Sequence, residues 1–274
     1  MIERVGNDQY ESILQYLWRY DHENIHLLDD LVDDSARQPW DDVPTLLGYR
    51  ADGRIAGVQA FYRYGRWFPH YDTTTVVDSM IEDMMLHRVS WILGVQRIVD
   101  PMIERLQRTG FAVGYDEIDH ICSVDARRLR PYHCTGIRRA TDSDLMSVGE
   151  LRYLFEAEYF GVAPYRVDRN WCNRIAGRYI TKGTYVAVVD GRIVAMAAVE
   201  ARIPSLVQIG AVFTKKHYRG KGYAKGVVSA LCEELLAVQP AVSLTVRIGN
   251  QPAIQAYASL GFRRTGSYRM ARIS

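Results

Sequence analysis

The residues of this chain whose types and spacing most directly imply a ligand are Arg219-Gly220-Lys221-Gly222-Tyr223-Ala224. They lie between an apolar, strand-like run at 206–213 and a helical run at 224–236. Glycines let a backbone approach a ligand with no Cβ in the way. The N–H groups of a helix's first turn have no partner within the helix, and the helix dipole adds partial positive charge at the same point. Arg219, Lys221 and Lys225 add full charges. A strand, a glycine turn and a helix start in this order form an anion cradle, most naturally for a phosphate or pyrophosphate. The spacing is not that of a Walker loop, which needs Gly-Lys-Ser/Thr after four intervening residues. Nor is it the dinucleotide fingerprint, since Lys225 stands where the third glycine belongs.

What the stretch does match is Arg-x-x-Gly-x-Ala, read as Arg219, Gly222 and Ala224. A second pattern follows it: Asn250, Pro252-Ala253, Tyr257 and Leu260-Gly261-Phe262. Residues 250, 253 and 257 are three and four apart and share one helix face. With both patterns in order, residues 135–274 resemble the GNAT superfamily of acetyl-CoA-dependent N-acyltransferases. The resemblance implies an α/β (α+β) fold with a mixed, mostly antiparallel twisted sheet flanked by helices. It also implies acetyl-CoA as cosubstrate and an amine as acceptor. Two central strands are expected to splay, with the pantetheine arm on the edge of the strand before the cradle at Val212, Phe213 and Thr214. The pyrophosphate would fall to the amides of Arg219, Gly220, Lys221, Gly222, Tyr223, Ala224 and Lys225. Asn250 resembles the family's pantetheine contact, and Tyr257 its general acid for the departing CoA thiolate, a task that suits a phenol beside a thioester sulfur.

The general base is not specified by any motif. Many relatives place a glutamate in the strand before the cradle, but here that region reads Leu206-Val207-Gln208-Ile209. Candidates are Glu200 at the end of the preceding strand, and Glu158, with Glu156, near the end of the first helix of this half. His217 has a suitable ordinary pKa but sits in the turn before the cradle. Aromatic and charged residues between Tyr153 and Tyr165 would wall a pocket for a polar amine with some flat or apolar surface. Two other readings use the same loop. A non-catalytic acyl-CoA sensor or scaffold would have no need of Tyr257, and a nucleotide-binding module would have no need of the 250–262 pattern.

Composition narrows the classes. The 274 residues carry a formal net charge of only +2, with basic and acidic residues interspersed, which argues against a dedicated nucleic-acid binder. No apolar run approaches the roughly 20 residues of a membrane span. Met1 to Val5 lacks a basic-then-apolar leader pattern. Cys122, Cys134, Cys172 and Cys232 are scattered, which suits reduced thiols and neither a disulfide framework nor a metal site. The expectation is a soluble, cytoplasmic monomer or homodimer without a metal.

The elements that must position these residues come in two series. The first reads as helices over 10–32, closed by the acidic residues 29–34 and Pro39, then a strand pair turning at Asp52-Gly53. A helix near 77–86, a strand near 90–94, a helix over 101–108 and a strand over 118–124 follow. The second reads as a strand at 136–140, helices over 145–159 and 168–179, and a strand pair turning at Asp190-Gly191. The cradle and its helix come next, then a strand at 242–246, a helix at 250–260 and a last strand at 263–273. Asp52-Gly53-Arg54-Ile55 answers Asp190-Gly191-Arg192-Ile193, and Thr109-Gly110-Phe111 answers Leu260-Gly261-Phe262. The first series is shorter where the second carries its cradle. Two diverged copies of one fold are therefore expected: a degenerate GNAT-like domain at 1–126 without a pyrophosphate loop, a basic, proline-containing linker at 127–134, and a catalytic domain at 135–274.

Overall fold

The computed structural model describes residues 2–6, 9–32, 44–161 and 163–274. Asp33, Asp34 and Pro39, expected to close the first helical region, lie outside the described residues. The chain forms two compact units. One holds the chain up to Ile121 together with Thr265–Ser274, and the other runs Cys122–Arg264.

In the first unit the elements are β1 (Glu3–Val5), α1 (Tyr10–Arg19), α2 (Ile25–Val32), β2 (Thr45–Ala51), β3 (Arg54–Phe61), β4 (Arg66–Tyr71), α3 (Val77–Met84), β5 (Trp91–Val95), α4 (Gln96–Arg108) and β6 (Val113–Val124). The strand order is β1-β2-β3-β4-β5-β12-β6, where β12 is Arg263–Ile273 from the end of the chain. Ala51 pairs with Arg54 across a two-residue turn whose Asp52 and Gly53 both have positive φ, the type I′ geometry that Asp-Gly favours. β4 pairs with β5 in parallel, joined through α3. Trp67, Met80, Ile92, Ile98, Met102 and Leu106 are buried in one core, which Ala271 and Ile273 of β12 enter. α4 begins at Gln96, well before the expected 101, and carries Pro101 inside it. The ring there removes one backbone donor. Ile98, Val99, Met102, Ile103 and Leu106 nevertheless form one buried face, and that packing holds the earlier turn in place.

The second unit contains β7 (Ile137–Arg139), α5 (Leu145–Tyr159), α6 (Arg169–Lys182), β8 (Thr184–Val189), β9 (Arg192–Ile203), β10 (Leu206–Thr214), α7 (Tyr223–Leu236), β11 (Val242–Arg247) and α8 (Gln251–Ser259). Its order is β11-β10-β9-β8-β7. Asp190 and Gly191 repeat the positive-φ turn, with Val189 opposite Arg192. β10 and β11 are the parallel pair here, joined through α7. Thr141 and Asp144 form a capping box ahead of α5. Asp168 caps α6 by accepting from the N–H groups of Asn170 and Trp171.

The units therefore share one plan: a hairpin, a third antiparallel strand, a helix and a parallel strand. Their boundaries are not those of the two sequence halves. β12, read from the sequence as the last strand of the second half, packs in the first unit from Thr265 onward. Residues 127–134, read as linker, belong to the second unit: Arg130 N–H bonds the Leu260 carbonyl at 3.0 Å, and Tyr132 N–H bonds Ser229 Oγ at 2.8 Å.

A buried polar chain holds the first unit together. His70 Nδ1 lies 2.8 Å from the Tyr16 hydroxyl, His70 Nε2 lies 2.8 Å from Glu23 Oε2, and Arg97 closes on the same carboxylate. These contacts assign a neutral ring that donates from Nε2 to Glu23 and accepts at Nδ1 from Tyr16. Burial pushes the His70 pKa down, against the pull of Glu23. On Glu23, burial pushes upward but the hydrogen bonds from His70 and Arg97 outweigh it and lower its pKa. Because the unfolded chain protonates His70 at about pH 6.5 and the folded chain resists it, the His70 contribution is intact above that pH and is lost as pH falls below it. The Glu23 contribution is lost in turn at lower pH, beneath the ordinary carboxylate range. Thermal melts from about pH 7 to about pH 5 should therefore show a falling midpoint in the wild type and a flatter profile in His70→Gln. Parallel profiles would remove His70 from this role.

Candidate functional site

The site is built where β10 and β11 part. The two strands pair at Val207 with Val242 and at Gln208 with Ser243, yet β10 continues to Thr214 and β11 to Arg247. On its other side β10 carries a bulge against β9: Gly210 faces Ala198 and Phe213 faces Met196, with one residue too many on β10 between them. Ala211 takes a φ of +48° at this point. A side chain in that region costs on the order of 1 kcal/mol, and a bulge beside a site re-aims the chain. Ala211 and Val212 fall outside the ladder to β9, immediately before the Phe213 and Thr214 expected to meet a pantetheine arm.

The glycine stretch follows directly. A single turn of 3₁₀ helix at Lys216–Tyr218 leads to Arg219, then Gly220 at φ +76° and Gly222 at φ +85°. Gly222 is the N-cap of α7, no side chain caps that helix start, and the first helical bond runs from Gly226 N–H to the Gly222 carbonyl. The N–H groups of Tyr223, Ala224 and Lys225 are thus left to face a ligand. Arg219 turns away from this point: its Nε donates to the Thr214 carbonyl at 2.9 Å, and its Nη2 pairs with Glu158 at 2.7 Å. It braces the turn against β10 and α5.

Sequence reading missed Tyr132. A Cβ placed at Gly222 would stand 2.3 Å from the Tyr132 hydroxyl oxygen, and the ring lies 4.3 Å beneath the Lys225 ammonium. The 128–134 segment therefore lays an aromatic side chain on the cradle glycine. No motif signals this, because the contact joins positions 90 residues apart.

The remaining expected residues divide by environment. Asn250 is the N-cap of α8, its Oδ1 accepting from Ala253 N–H at 3.2 Å, and is otherwise exposed. Tyr257 is buried with its ring against Phe262. Burial pushes its phenol pKa up, and nearby Cys122, Glu200 and Cys232 push the same way, so the hydroxyl keeps its proton. Glu158 is half exposed and spent on Arg219. His217 is exposed in the turn.

Glu200 sits differently. Its carboxylate lies over Gly210, where a Cβ would come within 2.1 Å of Glu200 Cδ and 2.2 Å of Oε2. Position 210 of β10 thus has no side chain, and a carboxylate from the neighbouring strand fills the space. Tyr179 donates to Glu200 Oε1 at 3.4 Å and itself accepts from Arg152 Nη1 at 2.9 Å. Arg152 also pairs with Glu156 one helical turn along α5. Burial pushes the Glu156 carboxyl up; Arg152 opposes this and Glu200 reinforces it. Among the described residues, no group of three or more His, Cys, Asp or Glu side chains is arranged to hold a metal ion. No helix among them is long and apolar enough to cross a membrane.

Residues 147–262 match the model of the acetyltransferase (GNAT) family. The fold is similar to that of a tandem GNAT protein from the clavulanic acid biosynthesis pathway, with a TM-score of 0.64 at 15% identity, covering 99% of this chain and 98% of that one. It is also similar to a GCN5-related N-acetyltransferase from Sphaerobacter thermophilus (0.65, 14%, 99% and 95%). A GNAT-family acetyltransferase from Colwellia psychrerythraea matches over 100% of both chains (0.61, 13%). A search of curated proteins found no match. Both units thus follow the tandem GNAT architecture, a mixed and mostly antiparallel sheet with helices in each.

Proposed function

We propose that this chain, whose residues 147–262 belong to the GNAT acetyltransferase family, is an N-acetyltransferase that moves an acetyl group from acetyl-CoA to a primary amine. The observation that carries the reading is the parting of β10 from β11 directly ahead of an uncapped helix start, with a buried tyrosine hydroxyl and a carboxylate beside the gap. The residues fit the cosubstrate. The free N–H groups at 223–225 and the positive-φ glycines suit a pyrophosphate, and Lys221 and Lys225 add charge. Val212, Phe213 and Thr214 would offer main-chain groups to the pantetheine arm, and the exposed amide of Asn250 would meet its other side.

Bound acetyl-CoA supplies an acyl group activated as a thioester. The chain's own groups do the rest. Glu200, held over Gly210 at the bulge, takes the proton that the amine gives up. Tyr257 keeps its proton at neutral pH and donates it to the leaving sulfur. Of the two glutamates open from the sequence, Glu200 is favoured, because Glu158 is committed to Arg219. The first unit, in this reading, is a diverged copy without a phosphate loop. Between β4 and α3 it has Asp72-Thr73-Thr74-Thr75-Val76, with no glycine and with an aspartate bound by Arg54 at 3.0 Å.

Calorimetric titration of acetyl-CoA should show binding by the wild type and none by Gly222→Trp. A wild type that does not bind acetyl-CoA would overturn the reading. With an amine substrate in hand, Tyr257→Phe should lower kcat by about 10² while cofactor affinity stays within a few-fold. An unchanged kcat would remove the acid role. Gly210→Ala drives a methyl group into the Glu200 carboxylate, so it should cut turnover about as deeply as Glu200→Gln, again with acetyl-CoA binding retained. A Gly210→Ala variant as active as wild type would show that Glu200 need not stand there.

A further inference from the structure

The segment that lays Tyr132 on the cradle is fastened along its length, all within the second unit. A Cβ at Gly261 would collide with the Arg128 carbonyl, and Arg130 N–H bonds the Leu260 carbonyl at 3.0 Å. Tyr132 N–H bonds Ser229 Oγ at 2.8 Å, and that buried hydroxyl donates in turn to Glu233 at 3.0 Å. A Cβ at Gly226 would come within 2.9 Å of Cys134 Cβ, and one at Gly222 would collide with the Tyr132 hydroxyl and ring. Gly222, Gly226 and Ser229 share one face of α7. Two bare positions on that face let the strap lie directly on the start of the helix. Tyr132 is therefore placed by backbone contacts and is ready before any ligand arrives.

The Tyr132 hydroxyl stands beside the N-cap of α7 and yet caps nothing, because no side chain bonds the first N–H groups of that helix. Nor does it take a hydrogen bond from any other group among the described residues. A plug would sit on those amides; this side chain leaves them open. The Lys225 ammonium lies 4.3 Å from the centre of the ring, so one ring face is taken and the hydroxyl is what the residue offers. That ammonium has no carboxylate partner among the described residues. Three kinds of donor thus meet at one helix start with no protein acceptor: the N–H groups at 223–225, the Lys225 ammonium and the Tyr132 O–H. An anion answers all three.

We propose that Tyr132 is a cosubstrate-binding residue of this chain, its hydroxyl donating to the diphosphate seated on the amides of 223–225 and its ring positioning the Lys225 ammonium beside the same anion. This rests on the acyltransferase reading above and adds to its site an arm from outside the glycine stretch. Hydrogen bonds to a charged group are the stronger kind, and a donor fixed in advance loses little side-chain freedom on binding. The cation held on the ring adds a smaller share.

The test is calorimetry on the full-length protein with CoA and with dephospho-CoA, which keeps the diphosphate and lacks the 3′-phosphate. Tyr132→Phe keeps the ring and removes the hydroxyl alone. It should bind both ligands about tenfold more weakly than wild type, while the ligand-free protein melts as wild type does. Tyr132→Leu should lose about a further threefold, and Lys225→Met should cost less in that background than in wild type. A Phe variant within about twofold of wild type for CoA would overturn the proposal and leave the acyltransferase reading standing. Tighter binding by Tyr132→Leu would also overturn it, by showing that the ring obstructs the cradle. A loss seen with CoA and absent with dephospho-CoA would move the contact to the 3′-phosphate and refute the diphosphate assignment. A loss matched by a lower melting midpoint of the free Phe variant would make the residue structural. Failure of the wild type to bind CoA would instead overturn the acyltransferase reading, and this proposal with it.

Discussion

The second unit depends on how far two parallel strands stay together. β10 and β11 hold each other at only two residue pairs, then separate while each continues for several residues. α7 leaves the carboxyl end of β10 and returns the chain to β11, so its unpaired N–H groups open at the same end as the gap. Crevices outside the carboxyl ends of strands are where open α/β sheets take ligands. The bulge at Ala211 adds a second break on the other side of β10, so Ala211 and Val212 fall outside the ladders to both neighbours. Sheet edges of that kind pair readily with an extended ligand. Gly210 then lets a carboxylate from β9 sit against the strand at the break. Closing the gap by lengthening the β10–β11 ladder would remove the place these groups surround.

The first unit repeats the plan but not the opening's chemistry. It has the same Asp-Gly turn with the same positive φ values, the same third antiparallel strand and the same parallel pair joined by a helix. Its connection into α3 is built of Asp72 and three threonines, and the aspartate is occupied by Arg54 and Tyr20. A carboxylate there repels what the Gly220–Lys225 stretch attracts. Stability in this unit comes from an aromatic and methionine core and from buried chains of hydrogen bonds. One runs Trp67–Gln59–Tyr49–Asp83–Arg4, and the other Tyr16–His70–Glu23–Arg97. Such chains are worth having only when every member is satisfied.

Local signals carried much of this into the sequence. Asp-Gly at 52–53 and 190–191, the capping box at Thr141 and Asp144, Asp168 before α6, and the glycines of the cradle each announce their structure through their own backbone requirements. What was illegible came from contacts distant in sequence. No local pattern marks β4 as a strand of its own, yet its Trp67 and Tyr71 are buried strand residues. The packing of β12 in the first unit depends on its pairing with β5, from Tyr268 with Val95 to Arg272 with Trp91, which no local pattern encodes. Nor does any motif bring Tyr132 to Gly222 or Glu200 to Gly210; in the second case the informative residue was a glycine, legible only as an absence. Arg152 reads as one charge on a helix until its burial is known.

The proposed acid and base are also coupled through the field they share. Burial and the negative charge of Glu200 are among the causes that keep the Tyr257 proton in place. A phenol so held is a poor acid while Glu200 is ionised, and the proton is not lost to water before it is needed. In the proposed mechanism, a proton passed from the amine to Glu200 removes one of the charges that hold the Tyr257 proton. On that proposal the phenol would become the stronger acid at the stage when the departing sulfur needs a proton. The two groups come from different elements, Glu200 from β9 over Gly210 and Tyr257 from the helix after β11, and the charge of the first acts on the second without a hydrogen bond between them.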